Sequence, residues 1–263
     1  MTRAWDLGDS RVSKGTTANR PAVMPIGSKY FDTTLNNYYQ YTSLGWFPTG
    51  TPGSVSFSGG ALTSDATYYY RAFTSTGTLT VAASGLTIPA TALLVGGGGS
   101  GRSCHSGGSN GGSGGATRQE AVSLTTGTFS FTVGTGGPGW TSSNPGLPTV
   151  AFGFTAAGGV NSTQTGNGAN GTFYSAFSAF GASGYFGGGG GAGSAGGGDT
   201  GFLGGLGGGA RGGNGGNFMN APSGVPNTGG GGGGGNTSGG CNACGDGATG
   251  IVIVRYARAD VGG

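Results

Sequence analysis

The sequence predicts a mainly β chain with little or no α-helix: an N-terminal β-hairpin module, then a strand layer carrying packed glycine-rich segments. Three observations predict it. Of 263 residues, 69 are Gly, and each Gly inside a helix costs about 1 kcal/mol relative to Ala. The net charge is +3 and aromatics reach 10%, which argues against charge-driven disorder. The Gly tracts alternate with β-branched and aromatic segments such as Ile251-Val-Ile-Val-Arg-Tyr256, anchors that a flexible linker lacks. Collagen is excluded, because Gly187–Gly191 and Gly229–Gly235 have no Gly-X-Y period and only 10 residues are Pro.

Residues 1–50 form the first unit. They hold both lysines and few glycines. Tyr30–Leu35 and Tyr38–Ser43 read as strands around Asn36-Asn37, a pair whose tolerance of positive φ suits a two-residue hairpin turn. Trp46 follows the second strand. Residues 51–65 read as a linker, and 66–263 as a β plus glycine-rich distal domain.

Within that domain, Ala66–Phe73 and Thr78–Ala82 read as a hairpin around Thr74-Ser-Thr-Gly77. Ala90–Val95 makes a third strand and runs straight into Gly96–Gly99. The strand-to-glycine junction recurs after Phe129–Val133, Val150–Thr155 and Tyr185-Phe186, and weakly at Gly201–Gly209. The chain closes by reversing it, at Gly250–Tyr256. Without a fixed period this is no solenoid. It reads as several passes through two stacked layers, one of strands and one of Gly.

Consecutive glycines can adopt the polyproline II type of helix, with about 3 residues per turn and no internal hydrogen bonds. Its N–H and C=O groups point outward and need partners elsewhere. Where outward positions are Gly, neighbouring helices can approach until backbone bonds backbone. The expected glycine layer is therefore a packed set of polyglycine-II-type helices.

Composition also bounds the chemistry. No stretch of 18 apolar residues exists, so no membrane insertion is expected. Arg3, Arg11, Lys14, Arg20 and Lys29 are scattered rather than clustered, which argues against nucleic acid. The start, Met1-Thr-Arg-Ala-Trp-Asp6, has no apolar h-region, so folding in a cytosol is expected. His105 is the single histidine and Glu120 the single glutamate. Neither a Ser-His-Asp arrangement nor a glycosidase carboxylate pair is supported, and no enzyme activity or cofactor is expected. The Gly-x-Gly-x-x-Gly matches are uninformative without Gly-Lys-[Ser/Thr]. Cys241-Asn-Ala-Cys244 has metal-ligand spacing and could join Cys104 and His105 in a Cys3His site; a local disulfide or unlinked thiols are the alternatives.

The interruptions between tracts carry the recognition candidates. Trp140 lies in 138–148, Phe173 and Tyr174 in 170–186, and Asn217, Phe218, Met219 and Asn220 in 217–227. If the tracts lie side by side, the interruptions become loops at the ends of a rigid bundle, and aromatic, Asn- and Ser-rich loops suit recognition. Phe177, Phe180 and Phe186 fit either such a loop or an anchor beneath the glycine layer.

Two segments bear a family likeness. Gly15-Thr-Thr-Ala-Asn-Arg-Pro-Ala22, followed by Ile26–Leu35 and Trp46, resembles a short hairpin module of bacteriophage tail-fibre and virion proteins. Residues 66–256, opening with Tyr68-Tyr-Tyr-Arg-Ala-Phe73 and closing with Gly250-Ile-Val-Ile-Val-Arg-Tyr256, resemble the glycine-rich domain of phage tail and fibre proteins. They are also similar in kind to polyglycine-II receptor-binding tips. The resemblance implies a virion adhesin, assembled in the host cytoplasm. Its N-terminal part would attach to other virion proteins, and its glycine-rich part would present loops to a bacterial surface saccharide or protein. The implied assembly is a homotrimer. A head, collar or tail decoration without a receptor is the alternative. The resemblance implies no catalytic residues.

Overall fold

A computed structural model describes residues 13–34, 37–42, 45–48, 55–83, 86–102, 109–139, 144–160, 165–194, 200–214, 220–236 and 243–261. Among them there is no α-helix, only strands, short 3-10 turns and irregular segments. The mainly β class follows.

In the N-terminal unit, β1 (Ser13–Gly15), β2 (Lys29–Asp32), β3 (Asn37–Thr42) and β4 (Gly45–Pro48) form one sheet in chain order. The β1–β2 pair is parallel and the other two are antiparallel. Tyr30 is buried beside the Trp46 ring, centroids 5.8 Å apart, and its hydroxyl donates to the Thr16 carbonyl at 2.9 Å. A Cβ at Gly15 would lie 2.3 Å from that hydroxyl, so glycine admits the tyrosine. The expected hairpin exists, but its connection is 33–36 rather than Asn36-Asn37, because Asn37 already pairs with Asp32. Asp32 Oδ1 accepts the Thr34 N–H at 2.9 Å, an Asx turn that ends β2 early.

The distal part opens with β5 (Ser56–Ser58) and β6 (Ala61–Ser64), so the stretch expected as a linker contains two strands. Next come β7 (Tyr68–Phe73), β8 (Gly77–Ala82), β9 (Ile88–Val95), β10 (Thr117–Leu124) and β11 (Gly127–Phe131). Then follow β12 (Thr149–Ala151), β13 (Phe154–Ala156), β14 (Thr172–Phe173), β15 (Tyr185–Phe186) and β16 (Ile251–Ala257). A five-stranded sheet has the order β10-β9-β16-β7-β6, and a three-stranded sheet the order β11-β8-β5.

Two expectations are corrected here. β7 and β8 are not a hairpin: β7 pairs with β6 and β16, β8 with β5 and β11. The Thr74–Gly77 turn carries the chain from one sheet to the other. This places Phe73 and Leu79 in the same buried cluster. Val150–Thr155 is not one strand but the β12–β13 hairpin, turning through Phe152 (φ 53°) and Gly153 (φ 79°). Positive φ at both central residues is the hairpin geometry that matches strand twist. Phe152 tolerates it because its ring packs 4.9 Å from that of Phe131.

Period-2 alternation sorts the core. On β9 and β16, Ala90, Ala92, Leu94, Val252, Val254 and Tyr256 enter one cluster with Phe131 and Leu79. Leu93, Val95, Ile251 and Ile253 enter another with Phe177 and Phe186. The central strands are thus buried on both faces. Phe177 and Phe186 are 1% and 0% exposed, so they anchor the chain against the sheet. Phe180 is half-buried against the same cluster.

Candidate functional site

The glycine-rich segments leave the ends of β9, β11, β13 and β15 and run away from the strand layer. Their described parts make twelve passes: 96–102, 109–116, 134–139, 144–148, 156–160, 165–171, 187–194, 200–206, 207–214, 220–225, 229–236 and 243–250. In this order the odd-numbered passes run outward and the even-numbered ones return, the last of them, 243–250, leading back into β16.

Pass 96–102 shows how they are held. The N–H groups of Gly96, Gly97 and Gly98 donate to the carbonyls of Ala116, Leu147 and Ala248, at 2.9, 3.0 and 2.8 Å. Those of Gly99, Ser100 and Gly101 donate to Ser113, Asn144 and Gly245. Arg102 returns to Asn110. Every third residue faces the same neighbour. The carbonyls of Gly97, Gly98 and Gly99 accept from Gly159, Gly137 and Gly232, so hydrogen bonds tie this pass to six others. Pass 187–194 follows the same rule: Gly188, Gly191 and Ser194 donate to Gly207, Ala210 and Gly213. In 229–236, Gly231 and Gly234 donate to Gly188 and Gly191.

Space rather than backbone conformation demands glycine in these passes. A Cβ on Gly98 would lie 2.0 Å from the Gly230 oxygen, and one on Gly231 2.0 Å from the Gly112 oxygen. Neither residue has positive φ. Positive φ occurs instead at Gly187 (+74°) and Gly229 (+67°), where the chain bends into a pass. At the junction with the strands, the buried Thr149 hydroxyl donates to the Val95 carbonyl at 2.6 Å and accepts the Gly134 N–H at 2.9 Å.

The end of the bundle away from the strands is the candidate site. Polar side chains close its open backbone groups. Ser100 Oγ accepts the Asn144 N–H at 2.7 Å, and Asn144 Nδ2 donates to the Pro138 carbonyl at 2.8 Å. Asn214 Oδ1 accepts the Gly201 N–H at 3.0 Å, Asn236 Nδ2 donates to the Asn214 carbonyl, and Ser109 Oγ donates to the Gly235 carbonyl. These Asn and Ser residues do for the passes what capping side chains do for helices. From sequence the Asn and Ser of the interruptions are assigned to recognition, whereas Ser100, Ser109, Asn144, Asn214 and Asn236 bond the ends of the passes.

The stretches 103–108, 140–143, 161–164, 195–199, 215–219 and 237–242 fall outside the described residues, and the passes they join end on this side. Trp140, Asn217, Phe218, Met219, Cys104, His105 and Cys241 all lie in those stretches. Asn220 is exposed at the same end, and its Oδ1 accepts the Ala243 N–H at 3.2 Å. Cys244 is buried nearby. Among the described residues no three metal-ligating side chains come together. Phe173 and Tyr174 lie elsewhere, at the strand end. Phe173 is half-exposed beside Tyr185, with ring centroids 4.9 Å apart, and the Tyr174 hydroxyl donates to Thr117 Oγ1 at 2.8 Å.

A family model described as a glycine-rich domain matches residues 74–257. No curated protein matches the chain.

Proposed function

We propose that this chain, which belongs to the glycine-rich domain family, is a bacteriophage virion fibre or adhesin component whose glycine layer is a stiff platform for host-surface recognition. In this reading the passes are polyglycine-II-type helices. The threefold return of hydrogen-bond partners along 96–102 and 187–194 supports this, as that helix has about 3 residues per turn. The N-terminal sheet attaches to other virion proteins, the assembly is a homotrimer, and the distal end meets a bacterial surface saccharide or protein. The whole assembles in the host cytoplasm.

One observation carries the reading: the passes return repeatedly to a polar, Asn- and Ser-capped end, from which the stretches holding Trp140 and Phe218 depart. A rigid scaffold that gathers connecting segments at one end is how recognition surfaces are built. The test is binding of the full chain to isolated bacterial envelopes, compared with a Trp140→Ala/Phe218→Ala variant. The double variant is expected to bind about tenfold more weakly, a loss of about 1.4 kcal/mol, with an unchanged melting temperature. No envelope binding by the parent chain, or equal binding by the variant, would favour a purely structural decoration protein.

A further inference from the structure

A cleft of about 450 Å³ opens on the side of the strand layer, away from the capped end. It lies between the start of β7, the end of β16 and the 3-10 turn Ser175–Phe177 that follows β14. That volume is within the range of small-molecule sites.

Its wall is built from interlocked polar and aromatic groups. Asp65 Oδ1 accepts the N–H groups of Thr67 and Tyr68, both at 2.7 Å, and Oδ2 accepts the Tyr70 hydroxyl at 2.7 Å. The Tyr70 hydroxyl and these two amides hold the Asp65 carboxyl below its ordinary range, so it is an ionised acceptor at neutral pH. Arg255 lies over the Tyr68 ring at 4.2 Å and 5.8 Å from the Phe177 centroid. Among the described residues it has no carboxylate ion-pair partner. Its Nε is buried without a hydrogen-bond partner. Phe180, 5.4 Å from the Tyr70 centroid, closes one side. The hydroxyls of Ser64, Ser175 and Ser178 line the rim, and all three residues are exposed.

This set of groups selects a class of ligand. One carboxylate and one guanidinium on the same wall leave little net charge, which disfavours a simple ion. Acceptors, donors and hydroxyls line the same cleft, which suits ligand hydroxyls that both donate and accept. The aromatic walls offer apolar faces to C–H groups. We propose that this cleft binds a pyranose ring of an oligosaccharide, with its hydroxyls on Asp65 and Arg255 and its C–H face on the aromatic wall. The site is independent of the capped end and does not need Trp140 or Phe218.

The experiment is an NMR titration of the full chain with maltotriose, chitotriose and trigalacturonic acid. Beside the parent, it uses two variants: Ala179→Trp, which fills the cleft from an exposed position, and Arg255→Gln. At least one trisaccharide is expected to shift the Ser175–Phe180 amides with a Kd of about 1 mM, and each variant to weaken it by about tenfold. The Trp140→Ala/Phe218→Ala variant is expected to bind like the parent. Absence of shifts with all three sugars overturns the proposal. Undiminished binding by a correctly melting Ala179→Trp variant overturns it as well. Loss of binding in the Trp140→Ala/Phe218→Ala variant alone would move the sugar to the capped end and also overturn it.

Discussion

A methyl group at position 98 would lie 2.0 Å from the carbonyl oxygen of Gly230, closer than any real Cβ contact. At position 166 the same methyl meets nothing within 4 Å, and the backbone there has no positive φ. The two glycines therefore predict opposite responses. Gly98→Ala must push two passes apart and is expected to cost about 3 kcal/mol, the upper range for overpacking. Gly166→Ala is expected to be neutral or to stabilise by about 0.5 kcal/mol, because alanine loses less backbone entropy on folding. Urea midpoints at constant m-value measure both. Equal effects would mean that the passes do not hold each other at backbone distance. Where a pass does carry a side chain, as at Ala192, Ala210 and Ala248, the residue is buried and small. At the margin, side chains replace a missing neighbour: Asn167 and Asn170 accept the N–H groups of Leu203 and Leu206, at 3.0 and 2.9 Å.

At the scale of elements, β7 and β16 couple the cleft to the pH response. Burial, followed by the bond to Asp65, pushes the Tyr70 hydroxyl up to about 12 from an ordinary 10.0. A proton held more tightly in the folded chain stabilises the fold below the ordinary value, and this stabilisation is lost as pH rises through the folded one. Stability is therefore expected to fall between about pH 10 and 12. Tyr70→Phe should flatten part of that alkaline limb, read as melting temperature against pH. The Tyr256 hydroxyl, also pushed up by burial and partly pulled back by Arg71, keeps the rest. Asp65 acts at the other end: its lowered carboxyl adds stability above its ordinary 3.8, which is lost as pH falls through the folded value. An alkaline limb unchanged in Tyr70→Phe would remove this hydroxyl from the linkage.

Across the whole molecule, the passes and the sheet share one set of hydrogen bonds, since Gly250 donates to Gly134 while Ile251 next to it opens β16. The glycine layer should then unfold with the core and not before it. Amide exchange at Gly231, Gly232 and Gly234 is expected to be as slow as at Val252 and Ile253. Exchange at the rate of a free peptide would dissolve the platform on which envelope recognition depends. Much of this architecture is legible in the residues. Glycine content disfavours helices, β-branched, aliphatic or aromatic runs mark β9, β11 and β16, and the abrupt change between such a run and glycine marks the boundary of strand and pass. Those features are local, so composition and alternation suffice to determine them. The partner of each strand and pass is not local. The Thr74–Gly77 turn looks like a hairpin by its residues, yet β7 and β8 part because Phe73 and Leu79 are buried together between two sheets. Likewise Asp65, Tyr70 and Arg255 meet only because β16 inserts beside β7. Pairing across long separations is settled by which buried faces fit together, and that exists only once the chain has folded.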